Sequence, residues 1–135
     1  MRSTPRFIVF EGIEGAGKTT QIRLASAWLG ALGIEHVTAR EPGGTPVGEG
    51  IRSLLLDRRE LDIPGETELL LMLAARAAFV RDVVRPALER GRTVLADRFA
   101  LSTLAYQGYG RGLDLGDIRQ LNRFATGGIE PDLYV

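Results

Sequence analysis

The feature that most limits how this chain can fold is the run Gly12-Ile13-Glu14-Gly15-Ala16-Gly17-Lys18-Thr19, because of what stands on either side of it. Before it, Arg6-Phe7-Ile8-Val9-Phe10 is a nearly continuous apolar stretch, the pattern of a short strand covered on both faces. After it the period changes, and Ile22, Leu24, Ala25, Trp28, Leu29 and Leu32 recur at helical spacing until Gly33 supplies a stop. The run fits G-x-x-x-x-G-K-[ST] in the strand-loop-helix context that motif requires. Glycines there let successive backbone N–H groups converge on phosphate oxygens, and the following helix points its positive end at the same place. Lys18 then serves as a compact cation on the β- and γ-phosphates, and the Thr19 hydroxyl joins the shell of a magnesium ion. The whole stretch from Gly12 to Thr20 is therefore expected to line a nucleoside triphosphate site.

Composition sharpens this. Of seventeen basic residues one, Lys18, is a lysine and the rest are arginine. A planar guanidinium fits a phosphate cradle poorly, which explains an ammonium at this one place. The seventeen basic residues balance seventeen acidic ones, so no global positive field holds a nucleic acid polymer or an anionic membrane. There is no cysteine and a single histidine, His36, which excludes a disulfide framework, a thiolate or His-cluster zinc site and a cysteine nucleophile. No stretch approaches the ~18 apolar residues of a membrane span, and Met1 to Arg6 has no apolar signal region behind it. The expectation is a cytoplasmic protein whose 135 residues form one domain.

Further along, a second strand is expected over residues 35–39, ending in the turn Arg40-Glu41-Pro42-Gly43-Gly44-Thr45, with a helix from Val47 to Leu56. Residues 66–90 carry the longest helical pattern. Its segment Leu69-Leu70-Leu71-Met72-Leu73-Ala74-Ala75 is apolar all round and so predicts an interior helix, with Pro86 kinking it one turn earlier and Gly91 ending it. Thr93-Val94-Leu95-Ala96 reads as a third strand closed by Asp97-Arg98, residues 113–126 as an amphipathic helix, and residues 131–135 as the start of a fourth strand. Trp28 is expected in the core, and His36 is expected to be structural or solvent-exposed. Strand alternating with helix implies an α/β fold: a parallel sheet with helices on both faces, a three-layer sandwich. The chain stops inside an element, which suggests the N-terminal portion of a larger domain.

A switch protein that binds guanine nucleotides shares the loop but needs a buried strand leading into D-x-x-G and a later N-K-x-D. Asp62-Ile63-Pro64-Gly65 has no buried strand before it, and the one lysine is already used. A small-molecule kinase instead needs a second anion site facing the first, since two mutually repelling phosphates must be held in line. Arg98 at a strand end, Arg52 after the Gly43-Gly44 turn and Arg76 within the interior helix are the candidates. Each has a plainer alternative: Arg98 as a partner of Asp97, Arg52 as a solvated helix residue, and Arg76 as a partner of Glu66, Glu68 or Asp82.

Three stretches together carry a family resemblance: Glu11 to Thr20, the run Thr38-Ala39-Arg40-Glu41-Pro42-Gly43-Gly44-Thr45, and Asp97-Arg98-Phe99 followed by Leu104-Ala105-Tyr106-Gln107-Gly108-Tyr109-Gly110-Arg111-Gly112. In this order and at these spacings they resemble bacterial thymidylate kinases, nucleoside monophosphate kinases with a P-loop NTPase fold. The resemblance implies transfer of the ATP γ-phosphoryl group to thymidine monophosphate, giving thymidine diphosphate for deoxynucleotide biosynthesis, with magnesium accompanying ATP and the protein acting as a homodimer. It implies that Arg98 and Arg52 hold the acceptor's phosphate, that Arg76 donates to the thymine carbonyl, and that Thr103 and Gln107 complete base recognition. Glu14 would accept from the sugar 3′-hydroxyl, Tyr106 would close against the 2′ position, Asp97 would serve near the magnesium, and Glu41 and Pro42 would shape the turn beside the acceptor. The remaining alternatives are a kinase for another nucleoside monophosphate and an inactive nucleotide-binding fragment.

Two departures from the family pattern matter. Met72 stands where members usually carry an aromatic ring that stacks on thymine. A thioether can lie flat against a base, and Met72 as ordinary core is the alternative. Gly15 stands where one branch has an arginine, resembling the branch in which a mobile lid supplies that charge. Lid, last strand and adenine pocket would follow Val135, so the 135 residues alone are expected to turn over negligibly.

Overall fold

A computed structural model describes residues 4–13, 15 and 17–135, apart from the side chains of residues 101 and 104–106. Three strands form the centre: β1 (Phe7–Phe10), β2 (His36–Arg40) and β3 (Thr93–Asp97). With β4 (Leu133–Tyr134) they make a four-stranded sheet in the order β2-β3-β1-β4. Every pairing is parallel, as expected for strands joined by helical crossovers. The register aligns Phe10 and Arg40 with Asp97, so the carboxyl ends of three strands finish at one edge.

Period-2 alternation sends successive strand residues to opposite faces. Phe7, Val9, Val94 and Ala96 pack with Phe79, Val80, Val84, Ala87 and Phe99 on one side. Phe10 and Leu95 pack with Leu29, Ile22 and Ala25 of α1 (Lys18–Ala31) on the other. The middle layer is thus covered from both sides, as predicted.

Local chemistry sets the helix boundaries. At α2 (Pro46–Leu56), Thr45 caps the first turn by accepting from the Gly48 N–H at 2.9 Å, and Pro46 sits where its missing N–H costs nothing. At α6 (Leu115–Thr126), the Asp114 side chain accepts from the Asp117 N–H, which moves the start two residues past the expected one. The long predicted helix is a rod of three parts: α3 (Gly65–Phe79), a π-helical turn over Val80–Val84, and α4 (Arg85–Glu89). Pro86 has no N–H to give to the carbonyl four residues back, and the wide turn just before it absorbs the mismatch. Gly91, at φ 78°, lets the chain leave the rod. A short α5 (Ala100–Thr103) and a second π-helical turn, Leu104–Tyr109, follow β3.

Two expectations about the core are corrected. Trp28 is 64% exposed, because α1 buries the face carrying Leu29 while Leu24, Trp28 and Leu32 form an outward stripe at four-residue spacing. The apolar segment of α3 is not interior on every side either: Leu69, Leu73 and Ala75 are buried, but Leu70 is 57% exposed. His36 is structural, its ring nitrogens 2.7 Å from Ser26 Oγ and 2.9 Å from the Ile34 carbonyl oxygen.

Candidate functional site

The glycine loop connects β1 to α1 at the carboxyl edge of the sheet, where ligands bind in such folds. Gly17, the N-cap of α1, lies in the left-handed region at φ 86°, which a side chain would resist. No side chain caps the helix and its first turn holds no acidic residue. The first amides of α1 therefore open onto the cleft as a ready anion site. Lys18 folds back over the loop, donating to the Gly12 carbonyl at 2.6 Å with its Nζ 3.7 Å from Asp97 Oδ1.

A cavity of about 1080 Å³ begins at this loop. On the loop side it is lined by Ile13, Gly15, Gly17, Lys18, Thr19 and Thr20, and on the far side by Arg40, Glu41, Pro42, Arg52, Glu68, Met72 and Gln107. Asp97 and Arg98 line it as well, from the end of β3 between the two flanking strands.

The far wall depends on a turn and a buried pair. The Gly43-Gly44 turn is closed by Glu49, whose Oε1 accepts from the Gly44 N–H at 3.0 Å, a bond that holds the Glu49 carboxyl below the usual range. Gly48 passes so near that a Cβ there would meet the Gly43 carbonyl oxygen at 2.8 Å. Arg52 donates to the Pro42 carbonyl at 3.0 Å, tying α2 to the same turn. Behind the turn, Arg76 and Glu41 are both buried, with Nη2 2.7 Å from Oε1. Arg76 also donates to Asn122 Oδ1 at 2.7 Å and to the Phe99 carbonyl at 3.0 Å, and its guanidinium lies 5.1 Å from the centre of the Phe99 ring. Burial pushes the Glu41 carboxyl up from its ordinary value, against the pull of Arg76.

Among the described residues, the buried oxygens Glu41 Oε2, Asp97 Oδ1, Thr103 Oγ1 and Gln107 Oε1 have no hydrogen-bond partner. Leaving such an atom unpaired costs about 1–3 kcal/mol. Three of the four belong to residues lining the cleft, and Thr103 precedes Gln107 by about one turn. Buried polar atoms without hydrogen-bond partners, grouped around one cavity lined largely by charged and polar side chains, mark where a polar ligand belongs.

Most of the residues singled out in the sequence thus meet in one place. Thr103 and Arg76 are fully buried and stand behind the wall, not on it. The partner of Arg76 is Glu41, not Glu66, Glu68 or Asp82; Glu68 instead accepts from Gln107 at 2.8 Å, and Asp82 pairs with Arg81. Glu14, Ala16 and the Tyr106 side chain lie outside the described residues. Sequence reasoning gave no role to Arg40, which lines the cavity, to Asn122, which holds Arg76, or to Glu11, whose carboxylate accepts from the Phe99 N–H at 2.8 Å and from the Ser102 hydroxyl. Asn122 carries no local signal, because its role exists only once α6 packs beside α3.

A parallel sheet in this order, a glycine loop after its first strand and arginines at its carboxyl edge define an α/β protein of the phosphate-loop class. The comparisons narrow this further. A sequence model of the thymidylate kinase family matches residues 10–135. The chain is 57% identical over 130 residues to a thymidylate kinase of Desulforudis audaxviator (strain MP104C), covering 96% of this chain and 59% of that one. It is also 57% identical over 136 residues to a thymidylate kinase of Synechococcus sp. (strain CC9902), covering 96% and 65%. The crystal structure of thymidylate kinase from Ehrlichia chaffeensis superposes with a TM-score of 0.89 at 41% identity, over 98% of this chain and 70% of that one. The chain belongs to the thymidylate kinase family. It spans about three fifths of the length of the Desulforudis relative.

Proposed function

We propose that this chain carries the donor and acceptor phosphate sites for transfer of the ATP γ-phosphoryl group to thymidine monophosphate. The observation that carries the reading is a single cleft with Lys18 and the bare helix end on one wall and Arg52 on the opposite wall, with Arg98 at the strand edge between them. The 57% identity to relatives named thymidylate kinase supports the choice of acceptor.

In this reading Lys18 and the first amides of α1 hold the β- and γ-phosphates, and Arg98 and Arg52 hold the acceptor's phosphate. An oxygen of that phosphate forms a bond to the γ-phosphorus as the bond to the β-γ bridging oxygen breaks, releasing ADP. The attacking oxygen is already anionic, so no general base is needed, and positioning with charge neutralisation carries the rate. Gln107 supplies a polar atom for the base from one side and Met72 an apolar surface, while Thr103 and Arg76, fully buried behind that wall, support base recognition from there, Arg76 being held by Glu41, Asn122 and the Phe99 carbonyl. Glu14 takes the sugar 3′-hydroxyl and Tyr106 the 2′ side.

Magnesium fits the donor set present: Thr19 offers a hydroxyl at the cleft, and Asp97 a buried carboxylate oxygen without a hydrogen-bond partner. When bound it neutralises phosphate charge. The protein is proposed to work as a cytoplasmic homodimer. Among the described residues, no helix is long and apolar enough to cross a membrane.

The test assays ATP-dependent diphosphate formation across a panel of nucleoside monophosphates, using the 135-residue chain alone and the chain joined to the remaining part of the Desulforudis relative. Thymidine monophosphate is expected to be the preferred acceptor of the joined protein, with negligible turnover by the shorter one. Preference for another base would overturn the assignment of the acceptor.

A further inference from the structure

Arg98 is the one non-glycine residue with positive φ among the described residues, at 72°. A side chain in that region is strained and persists only where its surroundings over-determine it. The two peptide planes flanking Arg98 are both pinned. On the N-terminal side, the Arg98 N–H donates to the Phe10 carbonyl at 2.9 Å, and the Asp97 carbonyl accepts from the Glu41 N–H at 2.9 Å. On the C-terminal side, the Phe99 N–H donates at 2.8 Å to Glu11 Oε1, and the other oxygen of that carboxylate accepts from the Ser102 hydroxyl. The first plane is held by backbone alone and survives any side-chain change. At the second, the Phe99 N–H is held by a side chain, reaching across from the end of β1.

We propose that Glu11 is the positioning residue of the acceptor site. By fixing the Phe99 amide it sets the backbone of Arg98 in the left-handed conformation from which its side chain lines the cleft. The inference rests on the reading of Arg98 as a ligand of the acceptor's phosphate. Glu11 need not touch the nucleotide, and a carboxylate suits the task because its two oxygens can accept from two donors at once. Ser102 braces it from α5.

Calorimetry with thymidine monophosphate and, separately, ATP tests this on the joined protein and its variants. Glu11→Ala is expected to weaken monophosphate binding about tenfold and leave ATP affinity within about twofold. Glu11→Gln should restore most of the loss, since the amide oxygen still accepts from Phe99 and its NH₂ can donate to the Ser102 hydroxyl. In an Arg98→Ala background, Glu11→Ala should add nothing. Should Glu11→Ala fail to fold, Ser102→Ala serves instead, with an expected loss of about threefold that likewise vanishes without Arg98. Full loss in the Arg98→Ala background, or equal loss of ATP, would show that Glu11 acts on the fold or the glycine loop and overturn the proposal. If Arg98→Ala itself leaves monophosphate binding intact, the acceptor-site reading fails, and this inference with it.

Discussion

The two walls of the cleft are built in different ways. The phosphate-loop wall comes from one short part of the chain, with Ile13, Gly15 and Gly17 to Thr20 lining it, and its principal parts are backbone: left-handed glycines, uncapped amides and a lysine returning to a carbonyl in its own loop. The opposite wall gathers Glu41, Arg52, Met72 and Gln107 from separate elements, and is held by a buried guanidinium that donates to Glu41, to Asn122 of α6 and to the Phe99 carbonyl. A wall made locally can lose its function without losing the fold. A wall made by tertiary packing should lose both together.

Lys18→Ala gives the largest expected effect. In the joined protein it should cut phosphoryl transfer by about 10³-fold or more, since it removes the preorganised cation from the moving phosphoryl group. The urea midpoint should barely shift, and calorimetry should find thymidine monophosphate affinity within about twofold of the parent. Loss of monophosphate binding as well would break the division between the walls.

Arg76→Ala is expected to behave in the opposite way. It leaves Glu41 buried without its partner and empties a fully buried site, so urea unfolding should show a loss of about 3 kcal/mol or more. In protein that remains folded, discrimination among bases should relax more than phosphate binding weakens. A loss under about 1 kcal/mol would mean that the far wall does not depend on this side chain for its assembly.

Glu49→Gln is the smallest perturbation and sharpens the comparison through pH. The native carboxyl of Glu49 is held below its ordinary value of 4.5, chiefly by the Gly44 N–H. A depressed native pKa contributes stability that is complete above the unfolded value and disappears as pH falls through the native one. The advantage of the parent over Glu49→Gln in denaturant midpoint should therefore shrink between pH 7 and pH 3. An unchanged difference would detach Glu49 from the turn.

The same contrast explains what could be read from the residues alone. The strand-loop-helix of the phosphate wall was legible because its motif, flanks and lone lysine are adjacent in the chain, and the parallel sheet followed from the alternation of elements. The shift of α6 to Leu115 and the exposure of Trp28 were less legible. The first depended on which aspartate caps the helix, and the second on which of two apolar stripes faces the sheet. The partner of Arg76 was hidden for a stronger reason. Glu41 lies 35 positions away, and the two meet only because the turn after β2 comes down on α3. Glu11 carries no signal of its own, because nothing in a single carboxylate before a glycine announces that it will cap an amide 88 residues later. The resemblance to the thymidylate kinases supplied roles for side chains whose contacts no local rule foretells.

The central claim is that one cleft holds two phosphates face to face. A crystal structure with adenosine and thymidine joined through a phosphate chain tests it most directly. The account predicts one end of that chain on Lys18 and the first amides of α1, and the other within hydrogen-bond reach of Arg98 and Arg52. A complex in which those two arginines point into solvent while the thymidine end lies elsewhere would contradict it.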